Sequence, residues 1–381
     1  MSVEIRPART PAEIKALSEY PWTLYKDDPN WIAPLLSMRH DIFDRKKNPA
    51  WEYLTGECFS AWRDGRMVGT IGVVVNPRHN DMAGEKTSWF GAFEVEDDQD
   101  AATALLATAK TWARAQGMTT LRGPQTFTTH EETGLLVDNF SPPILLMPYN
   151  KAYYEKLIVG AGLHATMDTY SYTLSGADAL SSGLLDRLKR ITESIMKRNK
   201  ITVRPIDDKH LKQEFVLFKE LYNSAWLANW GFVPMTPREL DALIASLGQF
   251  FDPRLAFFAD VEGVPAGFVL AVPDFNQVLA RARPRPGVPE IITMIRALYF
   301  WKIAPVMTWA RIPLMGVKPE YRAKGVDAVL YYYGLDALMT AGYSNGDFGW
   351  ILSTNTTMNS IARNFGAEVY KTYRYYELTI D

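Results

Sequence analysis

The chain repeats itself. Val3-Glu4-Ile5-Arg6-Pro7 has an echo in Ile201-Thr202-Val203-Arg204-Pro205. The run Met67-Val68-Gly69-Thr70-Ile71 after Asp64-Gly65 has one in Val264-Pro265-Ala266-Gly267-Phe268 after Glu262-Gly263. The offset is equal at both landmarks, since 204 − 6 and 267 − 69 both give 198. Equal spacing at two separated places means one supersecondary unit used twice, and 381 residues suit two domains of ordinary size. The two acidic-Gly steps are hairpin turns. Each unit then reads strand, helices, hairpin, long strand, helix, strand, helix, strand. In the first, strands are expected at Ser88–Val95, Thr119–Arg122 and Thr169–Leu174, with helices at Ala101–Gln116 and Lys151–Val159. In the second, strands fall at Ile312–Val317, Gly349–Leu352 and Tyr373–Thr379, with helices at Val326–Met339 and Thr357–Asn364. The division is 1–176, a linker helix in 177–200 with Leu184, Leu185, Leu188, Ile191 and Ile195 on its apolar face, and 201–381.

The second unit carries the most chemical stretch. An apolar strand ending at Val317 is broken by Pro319, and Arg322-Ala323-Lys324-Gly325-Val326-Asp327 leads into a helix with Val326, Val329, Leu330 and Tyr333 on one face. A strand, a Gly-containing turn and a helix N-terminus aim backbone N–H groups at one spot, a cradle for phosphate. This segment resembles the acyl-CoA loop of the GNAT (GCN5-related) N-acyltransferases, matching at Arg322 and Gly325 and departing at Asp327, where that family has a small residue. The element order resembles the GNAT fold as well, an α/β (α+β) architecture with a mixed, mostly antiparallel sheet flanked by helices. The Asn-Trp-Gly-Phe-x-Pro, Pro-Asp-x-Asn and Gly-Pro stretches are similar to those of a little-characterised family of tandem GNAT-like bacterial proteins, over nearly the whole chain.

The resemblance implies acyl transfer from acyl-CoA or acetyl-CoA, without a metal, to an amine of a small molecule. CoA would meet Val317 and the 322–327 loop, with Asn355 near the pantetheine arm. Asn355 and Gly366 stand eleven residues apart, as in many members; the same residues also read as a helix cap and stop. Where many members place a tyrosine acid, this chain has Ala362. The first unit has Glu94, Glu96, Asp97, Asp98 and Asp100 in place of a phosphate loop. It is expected not to bind CoA in the usual way and to use these acids at a helix N-terminus.

Three further stretches are candidates for substrate. Asn229, Trp230 and Phe232 read either as an apolar pocket with polar anchors or as an aromatic core plug with capping Asn. Asp274 and Asn276 share a face of an extended segment, as a general base with a polar partner or as an Asx turn. Thr126, His130 and Glu131 lie in a long loop with an acid–base pair or plain turn chemistry. The insertion 280–305, with an apolar helix Ile291–Ile303, would serve as a lid or an interdomain contact.

Composition narrows the classes. A net charge of −2 with no basic stripe excludes bulk attraction to nucleic acid. Cys58 is the single cysteine, expected in the core of a chain from a reducing cytoplasm. The histidines lack metal-ligand spacing. No apolar run approaches a membrane span. Two alternatives stand beside acyl-CoA transfer. One is a non-catalytic ligand-binding protein. The other is an N-acyl amino acid synthase served by acyl-carrier protein.

Overall fold

The structure, a computed structural model, describes residues 2–181, 183–226, 229–248 and 251–381. Two compact units result. One is Met1–Thr169 with Val278–Pro305 and Lys371–Asp381; the other is Tyr170–Gln277 with Val306–Tyr370.

In the first unit the chain forms β1 (Glu4–Pro7), β2 (Thr55–Arg63), β3 (Arg66–Val75), β4 (Thr87–Val95), β5 (Thr120–Gly123), β6 (Leu135–Leu136) and the first half of β7 (His164–Ser175). The second unit takes the other half of β7, then β8 (Ile201–Pro205), β9 (Ala256–Val261), β10 (Val264–Pro273), β11 (Trp309–Val317) and β12 (Asn345–Leu352). The last strand, β13 (Glu368–Thr379), runs antiparallel to β5 from Tyr376 opposite Gly123 to Thr379 opposite Thr120. The sheet of the first unit is ordered β1-β2-β3-β4-β5-β13, and that of the second β7-β12-β11-β10-β9-β8.

The repeat is therefore real at the level of strands, because β1 to β4 and β8 to β11 have the same order and pairing. The compact units nonetheless differ from the contiguous halves 1–176 and 201–381. Pairing with β5 places the C-terminal strand segment in the first unit, and the second half of β7 goes to the second. The insertion joins the first unit as well, through a Trp22 indole N–H to Pro284 carbonyl bond of 2.8 Å and the Ser37 hydroxyl donating to Glu290.

Local chemistry explains the elements. Asp64 and Gly65, and again Glu262 and Gly263, adopt positive φ at the hairpin tips. The Asp98 carboxylate accepts from the Ala101 N–H and caps the helix Gln99–Ala115, which buries Leu105, Leu106, Ala109 and Ala113 against β3 and β4. The acids after β4 thus serve a helix start, with Arg63 paired to Asp98 and Arg66 to Glu96. In the second unit Val326, Val329 and Leu330 of the helix Val326–Thr340 are fully buried with Val269, Ala271 and Ile312. Each such aliphatic side chain contributes about 1.5–3 kcal/mol by leaving water.

The helix Leu184–Asn199 buries Leu188 and packs Ile195 on this core, but Ile191 is 46% exposed because Thr192 takes the inward position of that turn. Cys58 is buried in β2, and burial pushes its thiol up to about 12. No helix among the described residues is long and apolar enough to cross a membrane.

Candidate active site

The Arg322–Asp327 loop forms as the sequence implies. β11 stops at Val317, Pro319–Lys324 make a 3-10 turn, and Gly325 at φ 76° reverses the chain into the helix Val326–Thr340. The Arg322 guanidinium braces the turn by donating to the Ala225 carbonyl at 2.7 Å. Asn199 donates to the Lys324 carbonyl at 2.7 Å. Lys324 and Ala323 stay exposed, with the ammonium 5.2 Å from the Tyr321 ring centre. Asp327 accepts from the Ala328 N–H at 2.9 Å, a local use of its charge at the helix start. Asn355 caps the helix Thr356–Asn364 by accepting from Met358 N–H, and Ala362 on that helix is packed in the core.

β11 and β12 run parallel only from Trp309 to Arg311, against Asn345 to Asp347, and then separate into a fork. Its apex holds groups that no local motif announces. Arg311 and Asp347 are 4% and 0% exposed and form an ion pair of 3.1 Å. Arg311 also donates to the Gly349 carbonyl, and the Tyr370 hydroxyl donates to Asp347 at 2.7 Å. A bulge sets two residues of β11, Ile312 and Pro313, against one of β10 at the step from Leu270 to Val272.

One face of β10 connects apolar and polar chemistry. Phe268 and Leu270 line a shallow cleft with Ile206, Phe215, Phe218 and Ile244, and every described lining residue is apolar. Alternation along the strand puts Val272 on that face, and Asp274 follows directly after the end of β10. Val272 pairs with Arg311, and the Asp274 N–H reaches the Trp309 carbonyl at 2.9 Å. Asp274 is 5% exposed and accepts from the Asn276 N–H at 3.3 Å, so the Asx turn is present beside Trp309, at the start of β11.

Of the aromatic stretch, Phe232 is buried in a cluster with Tyr222 and Trp226, and Asn223 clamps Met235 through both amide atoms. Asn229 and Trp230 are half-buried beside this cluster, and the Asn229 carbonyl accepts from Phe232 N–H. A Cβ on Gly316 would meet Ala225 and Trp226 at 2.6 and 2.8 Å, so the stretch packs against the end of β11 where the loop begins.

The first unit has the same fork but fills it. β4 and β5 part after Trp89 and Arg122, and the following loop enters: a Cβ on Gly91 would overlap the Gln125 carbonyl. The Ala92 N–H, at the bulge of β4, donates to Thr126 Oγ1 at 3.2 Å. Glu131 accepts from Asn48 at 2.7 Å, and burial raises its carboxyl to about 8. The half-buried His130 binds Thr128 Oγ1 through its own backbone N–H.

Beside this plug lies a small open cavity lined by Glu94, Thr126, Glu132, Tyr149 and Asn150. Glu94 accepts from the Tyr25 and Tyr154 hydroxyls at 2.7 and 2.8 Å, and burial lifts it to about 7. In the sequence Glu94 looks like one acid among five; only the fold distinguishes it.

No protein-family model matches the chain. It is 31% identical to Protein YghO of Escherichia coli (strain K12) over 373 residues, 97% of this chain and 93% of that protein. It is 33% identical to the bacterial ceramide synthase of Caulobacter vibrioides over 381 residues, 98% of this chain and 97% of that one. Among solved structures, a tandem GNAT protein from the clavulanic acid biosynthesis pathway aligns over 100% of this chain and 99% of its own at a TM-score of 0.54 and 14% identity. A probable N-acyltransferase from Enterococcus faecalis V583 aligns over 100% and 73% at 0.52 and 11%. The fold is that of the GNAT N-acyltransferases, and the chain belongs to the tandem GNAT-like bacterial family that includes the ceramide synthase and YghO.

Proposed function

We propose that this protein N-acylates a long-chain amino alcohol with a fatty acyl group carried as a CoA thioester. The observation that carries this reading is the face of β10, where an all-apolar cleft wall runs into a buried polar apex. The apolar first part suits contact with a hydrocarbon chain, and the polar second part suits acyl-transfer chemistry. A relative named ceramide synthase supports the same choice, since ceramide is an N-acylated long-chain amino alcohol.

In this account the pyrophosphate meets the N–H groups around Arg322, Ala323, Lys324, Gly325 and Val326, and the pantetheine follows the fork past Asn355. The amine attacks the thioester carbonyl directly, a strand N–H of β11 stabilises the oxyanion, and the thiol leaves with a proton. Asp274, with Asn276 behind it, takes the amine proton, and that same proton is returned to the departing thiolate. Arg311 and Asp347 keep the apex electrically balanced. Asn229, Trp230 and Phe232 shape the wall next to the loop. Thr126, His130 and Glu131 act by holding the first unit's fork shut. The reaction runs in the cytoplasm with no metal.

Thermal denaturation in the presence of CoA and acyl-CoAs of rising length tests the donor. Occupancy at 100 times Kd adds about 2.7 kcal/mol, so long-chain acyl-CoA should raise the midpoint most. Lys324→Glu should remove most of that rise. An unmoved midpoint with every CoA species would overturn the CoA donor and turn attention to acyl-carrier protein. A second reading, ligand binding without turnover, is favoured by the Glu94 cavity of the first unit, where a raised carboxyl and two tyrosines surround space for a polar group.

A further inference from the structure

A surface helix ordinarily buries its apolar stripe and shows water its polar side. The helix Glu290–Leu298 does the opposite. Its buried residues are Thr293 and Ala297, whereas Ile291, Ile295 and Leu298 are 65%, 63% and 54% exposed. Ile292, Met294, Tyr299 and Ile303 continue the exposed surface into the following turn, Tyr299–Ile303. Half of the large apolar side chains exposed among the described residues fall in these fourteen positions, so the patch is a feature of one segment.

The charges of the segment are nearly all of one sign. Arg281, Arg283, Arg285, Arg296 and Lys302 are exposed, in a protein whose net charge is −2. Glu290 is the single acid between residues 281 and 303, and the Ser37 hydroxyl and N–H both donate to it. Trp301 lies under the Lys302 ammonium, 4.0 Å from ring centre to nitrogen.

We propose that this segment is a docking surface for a bilayer containing anionic phospholipid. Apolar side chains flanked by bases and interfacial aromatics are the composition of a helix lying in the headgroup plane, its apolar face among the acyl chains. Nine residues of helix are too short to span. A two-fold contact with a second copy would set the same five bases against one another, whereas a negative surface attracts them. The inference goes beyond acyl transfer, and it is read by an assay that needs no turnover.

The test is flotation of the full-length protein with vesicles of phosphatidylglycerol and phosphatidylcholine, and of phosphatidylcholine alone. The protein should float with the mixed vesicles, bind the neutral ones roughly tenfold more weakly, and detach as salt rises. The triple variant Ile291→Gln, Ile295→Gln, Leu298→Gln should lose at least about tenfold in partitioning with its unfolding midpoint unchanged, because these side chains are already in water. Arg296→Glu with Lys302→Glu should erase the preference for the anionic vesicles. Failure of the wild type to float, or an undiminished triple variant, would overturn the proposal. A concentration-dependent dimer that the triple variant dissolves, without flotation, would assign the face to a second copy instead.

Discussion

Thr126 Oγ1 accepts the hydrogen bond of the Ala92 N–H at 3.2 Å. Ala92 sits at the bulge of β4, the counterpart in the first unit of the β11 segment proposed to supply the oxyanion N–H. In the first unit a side chain of the same chain has taken that donor, and the Thr126 N–H is itself tied to the Glu132 carbonyl at 2.7 Å. Thr126→Val should therefore leave a buried N–H unpaired and cost about 1–3 kcal/mol. Urea unfolding reads that loss, and acyl-CoA affinity should stay the same.

Glu131 makes stability fall as pH rises. Its carboxyl is raised from 4.5 to about 8 by burial, so the unfolded chain gives up this proton first. From pH 4.5 to 8 the folded state binds more protons than the unfolded one, and the free energy of unfolding declines. Glu94, lifted to about 7, adds a slope of the same sign up to that pH. Glu131→Gln should stabilise by on the order of 1–3 kcal/mol at pH 8 and leave pH 4.5 unchanged. Equal effects at the two pH values in urea melts would contradict it.

The apex pair predicts a large structural penalty. Asp347→Asn strands the Arg311 charge, which is 4% exposed, without its carboxylate. Loss of one partner of a buried pair costs about 3–5 kcal/mol, visible as a lowered urea midpoint.

Gly325 predicts a smaller one. It holds φ 76°, and a Cβ there would approach the Ile195 side chain at 3.0 Å. Gly325→Ala should cost about 1 kcal/mol or more and weaken CoA binding, measured by calorimetric titration.

Much of the fold was legible because its signals are local. The two hairpin tips, the spacing of the Arg-Pro pairs and the helix face of Val326, Val329 and Leu330 each rest on a few consecutive residues. The Arg322–Asp327 turn was legible for the same reason. The exchange of β13 was hidden, since the pairing of Tyr376 with Gly123 depends on residues over two hundred positions apart. Arg311, Asp347 and Tyr370 were hidden likewise: each stands alone in its own strand, and the parallel pairing of β11 with β12 creates the cluster. The insertion shows a third limit. Periodicity announces an apolar stripe from Ile291 to Ile303, but which side of the helix meets the protein depends on small contacts at Thr293 and Ala297.

The most direct measurement is product formation. The purified protein, a long-chain acyl-CoA and a long-chain 2-amino-1,3-diol would be incubated together, with the N-acyl product followed by mass spectrometry and the released thiol by titration. The account predicts amine-dependent thiol release matched by product, falling by roughly 10²–10⁴-fold in Asp274→Asn while acyl-CoA still stabilises that variant. No product from either CoA or carrier-protein thioesters, with acyl-CoA bound all the same, would contradict acyl transfer and leave a ligand-binding protein.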